Sequence, residues 1–425
     1  MEQPKVFIVG MGVVSPLGGL DRMWRGLLSN DTSGIGINTF NTFRTVFEEY
    51  NPASDGLEKT IAAQVRDFNV LDYMDRKEAR QIDPYCQFAL VTAMQAVTQS
   101  GLRIDQMDGN RMGVFIGTGE GGLCTLEYQS RILAKKGANG VSPRLVPMVM
   151  PSSAVGIIAS RYGCHGPCNT YNAACASGIV GIGEAFWSIR RGEIDVAIAG
   201  GSEAVNTPLC YSGFMNMRAL SAFTDDPTRQ SRPFDRDRKG FVLGEGAGMF
   251  LLVSSAIAAR YDLRILGEIV GYGRTQDAYD ITAPHPEGTY AAGAIQAALN
   301  DARIGIDEIT YFNAHGTGTR LNDRTEVKAF RTIFGDRAAR IPTSATKSMI
   351  GHGMGAGGAI EIAACVMTGI DKAAHPTANL DNIAIECEGV DHIRGVPRHI
   401  PRGAILKTSF GFSGQNTAII LMSAD

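Results

Sequence analysis

Short apolar runs that end in glycine recur along the chain, and stretches with helical spacing of apolar residues separate them. Strands are predicted at Lys5–Val9, Gly113–Ile116, Val196–Ala199, Gly248–Val253, Tyr311–Ala314, Ala404–Lys407 and Thr417–Met422. Several of these are apolar at nearly every position, the pattern of a strand covered on both faces. Asp83-Pro84 predicts a helix start, with Asp as N-cap and Pro at the first helical position, followed by Phe88, Val91, Met94 and Val97. A second helix is predicted from Ser177, with Ile179, Ile182, Phe186 and Ile189 on one face and a stop at Arg190-Arg191-Gly192. This alternation is an α/β rhythm, with many of the 51 glycines at its turns.

No Pro- or Ser-rich linker, short repeat or low-complexity tract divides the chain. A fainter symmetry is present: the small-residue turn around Cys175, the apolar helix after it and its closing Gly192 resemble, in order, the stretch from Lys347 to Gly369. Two similar halves, residues 1–260 and 261–425, packed face to face would bring their corresponding loops into one site.

The chain has 425 residues, 44% of them hydrophobic, enough for a large core. A net charge of −3 provides no global basic field for nucleic acid or an anionic membrane, so an acidic partner has to be met by a local patch. The N-terminal stretch lacks the basic leader and cleavage site of a signal peptide, and no apolar run approaches the roughly 20 residues of a membrane helix. Eight scattered cysteines suit reduced thiols. A soluble, cytoplasmic enzyme is expected.

Three stretches carry chemistry. In NAACASG, residues 172–178, a cysteine among alanines precedes an apolar helix, where unpaired amides and the helix dipole favour thiolate. Cys175 is a candidate nucleophile; a small buried apolar residue is the plainer reading. NAHGTGT at 313–319 and KSMIGHGMGAGG at 347–358 each set a histidine, His315 and His352, in a glycine-rich turn after an apolar strand. Either could simply cap a helix. The trio is dispersed and meets only through the fold. A thiolate that holds an acyl group as a thioester makes an electrophile. Two imidazole donors aimed at a second thioester carbonyl can stabilise the enolate left when carbon dioxide departs. Such a set makes a carbon–carbon bond, whereas a cysteine hydrolase needs one histidine oriented by Asn or Asp.

These motifs, with SRPFDRDRKGFVLGEGAG at 231–248, NDRTE at 322–326 and SFGFSGQN at 409–416, resemble the elongating β-ketoacyl-acyl-carrier-protein synthases of the synthase II type, in order from about residue 4 to 422. The resemblance implies a thiolase-type fold, two pseudo-symmetric βαβ-rich halves in five layers, α/β/α/β/α. It implies that Cys175 takes the acyl chain under an oxyanion hole made by its own amide and that of Phe410, with Phe410 also gating acyl entry. His315 and His352 then stabilise the malonyl-derived enolate, Lys347 tunes them, and Glu326 organises the loops. Thr317 and Thr319 match residues that hold the pantetheine arm. Lys77, Arg80 and Arg218 match a basic patch for an acidic acyl carrier protein. No cofactor and no metal are implied, since substrates arrive on the carrier's phosphopantetheine. The partner chain is an identical copy or a chain-length factor.

His352 stands where initiating synthases carry Asn, and the intact Cys175 separates the chain from inactive chain-length factors. Two departures stand out. Ser413 replaces a glycine usual in the tail motif, and Glu120 in IGTGEGG takes a position usually filled by an apolar residue reaching the acyl pocket. VPMVMPSS, TLEYQ and IEIAAC resemble ketosynthase subunits of bacterial type II polyketide systems. A polyketide or other specialised-pathway synthase is therefore the first expectation, with housekeeping fatty-acid elongation and a non-catalytic chain-length or scaffold partner as alternatives. A dinucleotide site at residues 9–18 is opposed by Pro16, and Cys164, His165 and Cys168 have no second ligand pair for zinc.

Overall fold

The computed structural model describes residues 3–424. Eleven strands share one sheet: β1 (Val6–Val14), β2 (Met112–Gly117), β3 (Cys168–Tyr171), β4 (Val196–Glu203), β5 (Gly246–Ser254), β6 (Gly267–Gln276), β7 (Ile309–Asn313), β8 (Pro342–Ser344), β9 (Asp391–His392), β10 (Ala404–Gly411) and β11 (Gln415–Ser423). Their order is β9-β8-β7-β10-β11-β6-β1-β5-β4-β2-β3. Outward from the antiparallel β1/β6 junction, β1-β5-β4-β2-β3 and β6-β11-β10-β7-β8 run through the same connectivity. In each half the first strand pairs antiparallel with the fifth, the fifth antiparallel with the fourth, and the second lies parallel to both its neighbours.

The helices that position the site are α1 (Pro84–Ser100), α2 (Ser177–Arg190), α3 (Thr289–Ala302), α4 (Arg320–Phe334), α5 (Lys347–Ile350) and α6 (Met354–Asp371). Helices α2 and α6 pack on each other and touch strands of both halves, α2 on β2, β4 and β11, α6 on β4, β5, β10 and β11. They form the middle layer. Outside, α1 covers β1, β5 and β4, while α3 covers β6 and β11, which completes five layers. Close packing at the centre demands small residues: a Cβ on Gly117 at the end of β2 would fall 2.0 Å from the Ser177 carbonyl oxygen. The one helix among the described residues long and apolar enough to cross a membrane, α6, is this central helix, largely buried in protein.

Each predicted strand is present, most extending past its apolar run. Asp83 caps α1 by accepting from the Tyr85 amide at 3.0 Å, and α2 starts and stops where its pattern indicated, at Gly192 with φ 73°. The strands of this sheet that were missed are the polar edge strand β3, the glycine-interrupted β6, and the two- and three-residue β9 and β8. None of these offers an apolar run long enough to read.

Candidate active site

Strand β3 delivers the chain into a turn in which Ala174 has φ 49° and Cys175 precedes the first residues of α2. Ser177 ties the turn down, donating to the Ala174 carbonyl at 2.6 Å and accepting from the Ala173 amide at 2.9 Å. The end of β10 lies directly against it: a Cβ on Gly411 would fall 2.4 Å from the Ala173 carbonyl oxygen. Because the strand comes this close, the amides of Phe412 and of Cys175 itself lie near the Cys175 sulfur, where they favour its charged form.

Cys175, His315 and His352 line one cavity of about 520 Å³, with Phe241, Met354, Phe410 and Phe412 among its apolar walls. The two imidazole rings stand edge to face, 5.3 Å between centroids, and Phe410 packs edge-on to His315 at 5.8 Å. His315 Nδ1 faces Lys347 Nζ and Ser409 Oγ, each at 3.3 Å, while the Ser409 hydroxyl donates to the Cys175 carbonyl at 3.0 Å. Lys347 also donates to the His315 carbonyl at 2.7 Å and to Glu361 Oε1 at 2.5 Å. With all three ammonium protons committed, His315 Nδ1 accepts, and the proton of the neutral ring sits on Nε2. His352 is held by its backbone, its amide donating to Val242 at 2.7 Å and its carbonyl accepting from Gly244 at 2.8 Å. Its Nδ1 is buried without a hydrogen-bond partner among the described residues, so the opposite edge of the ring is the one open to the cavity.

Glu326, on α4, clamps the first histidine's loop. Its carboxylate accepts from the amides of His315 at 2.7 Å and Gly316 at 2.8 Å, and from the Thr408 hydroxyl at 2.7 Å. Asp323, one turn earlier, accepts from the amides of Thr317 and Gly318 at 3.2 Å and pairs with buried Arg238 at 3.3 Å. The Thr317 and Thr319 hydroxyls, 2.9 Å apart, line the same cavity towards its mouth.

Burial dominates the electrostatics. It holds both imidazoles well below the usual histidine range, reinforced by the positive charges of Lys347 and Lys407, so both are neutral. The expected thiolate is corrected: burial pushes the Cys175 thiol up to about 12, although Lys347 and the two amides pull the other way. The helix terminus does not outweigh the loss of water, and Cys175 rests as a thiol.

The position given to Phe410 is also corrected. Phe410 packs edge-on to His315, but the amide beside the sulfur belongs to Phe412, two residues on, where the chain leaving β10 turns over the nucleophile. Glu120 is not among the cavity's lining residues; it is exposed on the turn after β2, whose amides at Gly119 and Glu120 bind the buried Glu203 carboxylate at 2.6 and 3.2 Å. Of the three basic residues, only Arg218 stands at the cavity, beside Lys239 and Arg320. Lys77, on a separate helical turn at Arg76–Ala79, and Arg80, which caps that turn, are both exposed; the turn is anchored to α1 where Gln87 donates to the Ala79 carbonyl at 3.0 Å. Residues missed include Phe412, Ser409, Glu361 and Lys407. The last two carried a signal, a charged side chain inside an otherwise apolar helix and strand.

Ser413 follows Phe412 in the left-handed region, φ 60° and ψ 19°, which explains why glycine is favoured there. Its amide donates to the Ile281 carbonyl at 2.7 Å, a bond that glycine preserves. Ser413→Gly is expected to raise stability by about 0.5 kcal/mol through relieved backbone strain, offset in part by unfolded-state entropy, as read by urea unfolding.

A thiol under two converging amides, facing two neutral imidazoles across a cavity shared by two like halves, defines a condensing enzyme of the thiolase-type fold. Residues 3–258 match the N-terminal domain of beta-ketoacyl synthase, and residues 266–381 match its C-terminal domain. The chain belongs to the beta-ketoacyl synthase family. It is 41% identical over 421 residues to a 3-oxoacyl-[acyl-carrier-protein] synthase 2 of Synechocystis sp., covering 99% of this chain and 98% of that one. It is 37% identical to the enzyme of that name from Coxiella burnetii, covering 99% of each. Among solved structures it is similar, at TM-score 0.89 and 29% identity over 100% of each chain, to the ishigamide ketosynthase/chain length factor. A second, at TM-score 0.89 and 30% identity over 100% of each chain, is a type II PKS acyl-carrier protein in complex with its ketosynthase bound to the hexaketide.

Proposed function

We propose that the protein joins a Cys175-bound acyl group to the two-carbon unit of a malonyl thioester carried by an acyl carrier protein. The observation that supports this reading is the presence of two donor pairs at one cavity: two amides beside the sulfur and two imidazoles lining the same space. Cys175 attacks the incoming acyl thioester, its proton leaves with the carrier thiol, and the acyl group stays as a thioester under the Cys175 and Phe412 amides. Malonyl thioester then binds with its carbonyl oxygen against the His315 and His352 edges. Its carboxylate departs as carbon dioxide, and the electron pair forms an enolate held by the imidazole donors. The enolate carbon attacks the Cys175 thioester. The tetrahedral oxyanion is held by the two amides, the sulfur is expelled and takes a proton from solvent, and a β-ketoacyl carrier thioester leaves. None of these steps calls on a metal or redox cofactor.

The carrier meets the cavity mouth, where Arg218, Lys239 and Arg320 are exposed and favour an acidic surface. The Thr317 and Thr319 hydroxyls are placed for the polar groups of its pantetheine arm. A second chain docks on β3, one of the two edges of the eleven-stranded sheet. The segment that follows β2 exposes Leu126, Leu133, Val146 and Met150, apolar surface that such a partner covers. An identical copy is the simplest occupant. Sedimentation of the purified protein is expected to give a dimer, and a monomer at micromolar concentration removes the identical copy in favour of a different partner chain.

For the pathway, the polyketide-like segments and the ketosynthase neighbours support a specialised pathway. The 37–41% identity to synthase 2 enzymes favours fatty-acid elongation as a second reading. The test of the reaction itself is incubation with malonyl-carrier protein, with and without an acyl primer. Primer-dependent β-ketoacyl product supports condensation; carbon dioxide without a new carbon–carbon bond leaves only a decarboxylase.

A further inference from the structure

Lys407 is fully buried on β10, in a strand otherwise built of core residues. Its Nζ lies 2.7 Å from Glu361 Oε2 and donates to the Ala314 carbonyl at 3.2 Å. Glu361, on α6, gives its other oxygen to Lys347 at 2.5 Å, and Lys347 spends its remaining donors on the carbonyl and Nδ1 of His315. One carboxylate is therefore shared by two ammonium groups, only one of which touches the histidine. Burying a second lysine is costly, and the reaction steps above give it nothing to do.

We propose that Lys407 is a positioning residue for condensation: its ammonium pairs with the second oxygen of Glu361, 2.7 Å away, and fixes that carboxylate so that Lys347 points at His315 Nδ1 and the His315 Nε2–H stays turned to the malonyl carbonyl. This deepens the condensing reading and rests on it.

The charged and titratable groups around His315 come from every element packed there: Lys347 on α5, Glu361 on α6, Glu326 on α4, Lys407 on β10, His352 ahead of α6 and Cys175 ahead of α2. Cys365 and His375 feel the Lys407–Glu361 pair from its far side. A proton on His315 Nδ1 would face an ammonium 3.3 Å away, so the ring would leave its pose and the donor would be lost. Both lysines oppose that proton, on top of burial. Removing Lys407 weakens the opposition, the imidazoles take up protons at higher pH, and activity is lost earlier as pH falls.

The test compares Lys407→Met and Lys407→Arg by the pH profile of kcat/KM for malonyl-carrier protein. For Lys407→Met the acid limb is expected to move up by about one pH unit, an extra loss of about ten-fold below the limb relative to the plateau. Lys407→Arg, which keeps the charge, is expected to return the limb towards its original place. An unmoved limb in folded Lys407→Met overturns the proposal, as does an equal loss in both variants at every pH. Should Lys407→Met fail to fold, ¹⁵N-histidine NMR of the unaltered protein decides. His315, assigned by its loss in His315→Ala, is expected to be neutral with its proton on Nε2 at pH 6, and an imidazolium or an Nδ1–H tautomer there overturns the proposal. Failure of the condensing reading shows separately, as absence of β-ketoacyl product from the unaltered enzyme.

Discussion

Cys175→Ala is expected to reduce acyl transfer and condensation to below about one-thousandth of the original rate while the protein stays folded. The loss is large because every productive step passes through the sulfur, and no other thiol lines the cavity. The fold survives because only one atom is removed, from a site already open to a cavity, so stability changes by about 1 kcal/mol or less. Intact-mass measurement after incubation with an acyl thioester checks this directly. A persistent acyl adduct on Cys175→Ala would place the nucleophile elsewhere.

His352→Ala is expected to divide the reaction. Decarboxylation of malonyl thioester falls by about 10²- to 10³-fold, the usual loss of one preorganised oxyanion donor, while acylation of Cys175 continues under the Cys175 and Phe412 amides. The division follows from geometry: His352 shares the malonyl side with His315, 5.3 Å away, and none of its hydrogen bonds lead to the turn that carries the sulfur. Stopped-flow release of carbon dioxide and intact-mass acylation, measured on the same preparation, separate the two steps. Equal losses in both would merge the two donor pairs into one.

The alternation of apolar runs and helical spacing was enough to reveal an α/β architecture, because strands buried on both faces leave continuous apolar runs. Edge and glycine-rich strands leave no such trace, which is why β3 and β6 went unread. Cys175, His315 and His352 were legible because each sits in a small-residue turn that core packing does not require. The amide over the sulfur was not legible. Phe410 and Phe412 are two residues apart, one on β10 and one just past its end, and only the path of the chain over the Ala173 carbonyl decides which of them reaches Cys175. The helix terminus beside Cys175 could be read, but the burial that outweighs it could not, since it is set by Met354 and the aromatic walls contributed from far along the chain. Lys407 and Glu361 were visible as charges in apolar runs, and only the fold shows that they meet each other beside Lys347.

The convergence of three distant loops on one condensing site is tested most directly by following pre-acylated protein by intact mass after malonyl-carrier protein is added. The acyl adduct on Cys175 is expected to disappear at the rate at which β-ketoacyl-carrier protein forms. Product that forms while the adduct persists, or an adduct mapped to another residue, would contradict it.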